Sequence, residues 1–132
     1  MDLWELVGVA AGLILLHEGG HMLATRALGG RVLGLVWRGV AVGVRLDVAA
    51  LSPAAVAWTL IAGPGAAALG AGVLAAAWPP ARAAVLLIGG CDFLLNLLPW
   101  GVVPNDGTRL WRWWRTGRIA SNTAILERKR PR

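Results

Sequence analysis

The sequence predicts an all-α membrane protein: three transmembrane helices, a short β-hairpin after the first, and an interfacial helix near the C-terminus. Three observations carry that expectation. Hydrophobic residues make up 57% of the 132-residue chain and charged residues only 15%, with a mean hydropathy of +0.62, which is too apolar for a small soluble domain. Three stretches, about 3–28, 51–78 and 83–100, are long enough to span, since roughly 20 apolar residues cover the hydrocarbon core of a bilayer. Basic residues gather at one set of span ends, as the positive-inside rule requires of cytoplasmic segments.

The first span opens with Asp2 and Glu5 and has no basic residue ahead of it. That is the wrong leading segment for a cleaved signal peptide, so the span is expected to be retained. Between the first two spans, residues 31–48 read RVLGLVWRGVAVGVRLDV. Their β-branched residues around Arg38-Gly39 predict two short strands joined by a turn. The second span carries Gly63-Pro64 at its middle, where proline removes a backbone donor and is expected to kink or break the helix. Ala and Gly crowd this span, so it is expected to pack closely on its neighbours. Gly63 and Pro64 are candidates both for that packing and for contact with substrate.

The third span runs from Ala83 to Trp100 and contains Cys91 and Asp92. A lone cysteine excludes an internal disulfide and is read as a packing residue. The core is expected to end at residue 107, followed by a basic, Trp-rich tail over 108–132. There Trp111, Trp113 and Trp114 interleave with Arg109, Arg112, Arg115 and Arg118. Such a segment suits a helix lying at the headgroup level of a membrane.

All but one of the 13 basic residues follow the first or third span; Arg82 alone lies between the second and third. The N-terminus is therefore expected outside, and the hairpin and C-terminus in the cytoplasm. The net charge of +6 reads as topology and contact with an anionic leaflet; no nucleic-acid-binding motif accompanies it. Arginine far outnumbers lysine and Ala and Gly abound, in keeping with a bacterial cytoplasmic membrane.

Inside the first span stands His17-Glu18-Gly19-Gly20-His21, and these are the chain's only two histidines. Chance would place two histidines four apart, with Glu after the first, about three times in ten thousand. On a helix, residues four apart share a face, so both imidazoles can reach one zinc ion while Glu18 faces the water that the metal activates. Burying two imidazoles and a carboxylate without a partner is costly, which favours a metal over hydrogen-bonded core histidines. A catalytic zinc needs a third protein ligand. With no further His, the candidates are carboxylates, and the site's place near the cytoplasmic end favours Asp106, with Asp47 a weaker rival. Asp92 is an intramembrane carboxylate, read either as a partner that orients Asn96 or a ligand His, or as lining for a water path.

HEGGH in the first span, Ala62-Gly63-Pro64-Gly65 in the second, and NLLPWGVVPNDG over residues 96–107 together resemble the site-2 protease family of intramembrane zinc metalloproteases. The resemblance covers roughly residues 3–110. It implies His17, His21 and Asp106 as ligands of one Zn2+ ion, Glu18 as general base, and Asn96 beside the scissile region of a transmembrane substrate. It also implies that the hairpin can accept an unwound substrate segment as an added strand. Two departures stand out: Asn96 and Asp106 are further apart than in the common bacterial pattern, and Thr108 stands where a second Gly often follows. Two other functions compete with this reading: a scaffold that binds a transmembrane partner without cutting it, and a membrane metallohydrolase acting on prenylated peptides.

Overall fold

A computed structural model describes residues 1–38, 41–99 and 105–116. It is mostly helical, in the order α1 (Leu3–Ala27), β1 (Arg31–Arg38), β2 (Ala41–Asp47), α2 (Pro53–Ala77), α3 (Arg82–Leu97) and α4 (Asp106–Thr116). The turn expected at Arg38-Gly39, the Trp100 end of the third span and the tail beyond Thr116 lie outside the described residues. The segments Leu3–Ala27, Pro53–Ala77 and Pro79–Leu97 are each long and apolar enough to cross a membrane.

Local chemistry sets the helix ends. Asp2 and Glu5 form a reciprocal capping box, each side chain accepting from the other's backbone N–H at 2.8 Å, which satisfies two orphan donors of α1. At the other end Gly29 adopts φ +93°, the left-handed turn that closes a helix and that glycine enters without strain. Ser52 caps α2 and Pro53 starts it, where a missing N–H costs nothing. Pro79–Ala81 makes a single 3-10 turn into α3. That helix stops at Leu97 because Leu98 precedes Pro99 and takes an extended conformation, φ −75° and ψ 131°.

The break expected at Gly63-Pro64 does not occur. α2 runs through Pro64 to Ala77, although the proline ring offers no N–H to the Leu60 carbonyl one turn earlier. Close packing holds this helix in place. A β-carbon on Gly20 of α1 would run into the Ala62 carbonyl and the Ala66 side chain, so the two backbones touch with nothing between them. β1 and β2 pair antiparallel, Leu35 opposite Val44 and Val36 opposite Gly43, with one irregularity between Val32 and Gly34. β2 lies against α1.

The apolar core occupies one end of the bundle: Val9 and Leu13 from α1, Ala71 and Ala75 from α2, Ala81 and Val85. The other end holds the buried polar residues His17, His21, Thr25, Thr59 and Asp106. The outer surfaces of the long helices are apolar as well, with Leu15, Leu23, Trp58, Leu69 and Leu87 all exposed. α4 begins at Asp106, runs through 108 without interruption and packs on α2 and α3. The start of the basic segment is thus part of the core.

Candidate metal centre

His17 and His21 lie one turn apart on the buried face of α1, with ring centroids 4.8 Å apart. Their Nε2 atoms approach to 3.1 Å. Asp106 Oδ2 completes a triangle, 3.5 Å from His17 Nε2 and 3.1 Å from His21 Nε2. This group can hold a metal ion. A tetrahedral zinc with bonds of about 2.0–2.2 Å places neighbouring ligand atoms roughly 3.3–3.5 Å apart, so the triangle fits one ion with little rearrangement.

Each imidazole is aimed by its other nitrogen. His17 Nδ1 lies 2.9 Å from Asp92 Oδ2, and His21 Nδ1 lies 2.6 Å from the Thr59 carbonyl. Donation through Nδ1 fixes the tautomer that leaves Nε2 free as a ligand. His21 also needs room. A β-carbon on Gly63 would collide with the His21 ring at Nε2, Cε1 and Cδ2, so only glycine lets the imidazole rest against α2. Gly63 and Pro64 are buried and neither lines the cleft described below. Gly63 thereby seats His21 against α2.

Asp106 is delivered by a clamp on α3. Asn105 Nδ2 donates to the Leu95 and Leu98 carbonyls, both at 2.6 Å, orphan acceptors at the end of that helix. Its Oδ1 accepts from the Thr108 backbone N–H at 2.8 Å and from the Thr108 hydroxyl at 2.7 Å, capping α4. One asparagine therefore joins the end of α3 to the start of α4. Gly107 makes that junction possible, since a β-carbon there would overlap the Leu97 carbonyl. Burial raises the Asp106 carboxyl, but hydrogen bonds with His17 and His21, then the charges of His21 and Arg109, outweigh it and hold the pKa at about 2. The ionised carboxylate is the form that binds a metal.

These groups open on a cleft of about 230 Å³ lined by Glu18, Thr59, Leu60, Asn96, Arg109 and the β2 residues Gly43, Val44 and Leu46, among others. Glu18 and Val44 line the same side of this cleft. The cleft is bounded on one side by β2, which among the described residues pairs with β1 alone.

Of the residues read from sequence, the structure brings His17, Glu18, His21, Asn96 and Asp106 to one cleft. Asp47 stands apart, its carboxylate accepting from the Ala49 N–H at 3.2 Å. Asp92 takes the orienting position, bonded to both His17 and Asn96. Sequence reasoning missed Asn105, Thr59 and Arg109. An Asn immediately before Asp-Gly is a helix-cap signal that marks the first, whereas a backbone acceptor and a cleft-facing arginine leave no local mark. Compared with protein-family models, curated proteins and solved structures, the chain matches none.

Proposed function

We propose that this chain is an intramembrane zinc metallopeptidase of the site-2 protease type, hydrolysing a peptide bond within or beside a transmembrane segment of a membrane-protein substrate. One observation carries the reading. A triangle of two imidazoles and a carboxylate, of zinc dimensions, opens with a carboxylate base on one cleft. His21, Thr59 and Asp92 each lie five or six residues from the same ends of α1, α2 and α3, about 8–9 Å along the helix axes. In a membrane-inserted bundle the chemistry then sits just below the cytoplasmic boundary. The apolar outer surfaces support insertion, and the basic residues after α1 and α3 support an outside N-terminus. Exposed Trp111, Trp114, Arg112 and Arg115 on α4 suit contact with an anionic headgroup layer.

His17, His21 and Asp106 would hold a zinc ion, which when bound would supply Lewis acidity to polarise a carbonyl and acidify water. Glu18 takes a proton from water as its oxygen bonds the carbonyl carbon, then hands that proton to the amine nitrogen as the C–N bond breaks. A helical substrate shields its peptide bonds, so it must unwind first. The free edge of β2 offers main-chain partners to the unwound segment. Asp92→Ala is expected to lower zinc affinity about 10–100-fold by freeing the His17 ring, as measured by competition with a chelator of known strength; undiminished affinity would reject the orienting role.

The test of function is quantitative peptide mapping of membranes from cells carrying wild-type chain or Glu18→Ala. Cleavage ends inside transmembrane segments that vanish in the variant establish proteolysis and identify the substrate. An unchanged map, from expressed and zinc-loaded wild type, favours a scaffold that holds a transmembrane partner without cutting it.

A further inference from the structure

We propose that Arg109 is the side-chain donor that stabilises the oxyanion developing on the scissile carbonyl; the proposal rests on the peptidase reading above. The argument is an accounting of donors around the cleft. His17 Nδ1 is engaged by Asp92 and His21 Nδ1 by the Thr59 carbonyl. The Thr59 hydroxyl donates to the Val56 carbonyl at 2.7 Å. Asn105 Nδ2 is held between the Leu95 and Leu98 carbonyls.

Asn96 is engaged in the same way. Its Nδ2 lies 2.9 Å from the Asp92 carbonyl and 3.0 Å from Asp92 Oδ1, which uses both N–H groups of the amide. Its orientation is fixed by chemistry, since reversing the amide would set its oxygen against two acceptors. Asn96 is left with a carbonyl oxygen to offer, which can accept a substrate N–H and cannot support a negative charge.

Arg109 is the exception among the described residues lining the cleft. Its one side-chain contact is with Asp106, Nη1 to Oδ1 at 3.9 Å, and its side chain is 39% exposed. A guanidinium carries five donors in a planar fork, so most remain available. Its place also fits. Asp106 turns Oδ2 to the two imidazoles and Oδ1 to Arg109, so the guanidinium stands next to the ligand triangle, 3.9 Å beyond the outer oxygen of the Asp106 carboxylate. A cation there opposes charge that develops in the transition state and is absent from the ground-state carbonyl, the condition for raising turnover.

The test uses the full-length protein in detergent, loaded with Co2+, whose visible absorption reports binding at the metal. Wild type, Arg109→Gln and Arg109→Lys are titrated with a peptide phosphinate, a tetrahedral anion, and with imidazole, a neutral ligand. The expected result is one cobalt per chain in all three and unchanged imidazole affinity. Phosphinate binding weakens about 100-fold in Arg109→Gln, with Arg109→Lys in between. Equal phosphinate affinity in wild type and Arg109→Gln overturns the proposal and leaves the peptidase reading standing. Loss of cobalt from Arg109→Gln also overturns it, because the guanidinium would then be a support for Asp106. A wild type that takes up no cobalt rejects the metallopeptidase reading and this proposal with it.

Discussion

Glu18→Gln is expected to abolish peptide hydrolysis while the purified protein still carries one zinc ion per chain. The substitution keeps the size and helix preference of residue 18 but removes its basicity, and Glu18 is not among the three groups forming the ligand triangle. General-base catalysis contributes about 10²–10⁴-fold. Here the loss should approach the upper limit, about 5.5 kcal/mol of barrier at 1.36 kcal/mol per tenfold. No other carboxylate among the cleft-lining residues is free to substitute: Asp106 is occupied with both histidines. The measurement is turnover on the mapped substrate beside metal content by elemental analysis. Retention of a tenth or more of the activity with full zinc would remove Glu18 from the mechanism.

Asp106→Ala is expected to empty the site where Asp47→Ala does not. Removing a partner one step away from a metal costs about 10–100-fold in affinity, so losing a ligand should cost more than that. Asp47 is occupied with the Ala49 N–H and contributes nothing to the triangle. Gly107→Ala provides a stringent companion, because it leaves all three ligands in the sequence. Its β-carbon would overlap the Leu97 carbonyl, a backbone atom that cannot swing aside, so α4 must shift and carry Asp106 with it. Zinc content should fall nearly as far in Gly107→Ala as in Asp106→Ala. If Asp47→Ala lost the metal and Asp106→Ala kept it, the ligand assignment would be reversed.

What the sequence made legible followed from how local each signal is. His17, Glu18 and His21 are related by a single helical turn, so their shared face needs no tertiary information. The three apolar segments, the hairpin and the start of α4 were likewise readable from runs of neighbouring residues, to within a few residues at each end. Asp106 had to be placed by elimination, through the side of the bundle on which each carboxylate falls. The role of Gly63 could not be read this way: proline beside it suggested a break, but the contact that matters is with His21, 42 positions away. Asn96 shows the same limit. Its presence near the cleft was legible, but which end of its amide faces outward depends on Asp92 one turn earlier. Arg109 read as one of many interfacial cations, and only the docking of α4 turned it inward.

The span of chain between the two halves of the ligand set governs when the site can exist. His17, Glu18 and His21 leave the ribosome with the first helix, whereas Asp106 arrives only after α2 and α3 have followed. At about 5–20 residues per second the intervening synthesis lasts several seconds. Throughout that interval Glu18 stands beside two of the three residues of the candidate metal site. The clamp at Asn105 closes last, because its acceptors on α3 and its partner Thr108 must all have been made. If the chain is the peptidase proposed above, a nascent copy would be harmless to neighbouring unfolded segments, and competence to cut would begin with the docking of α4.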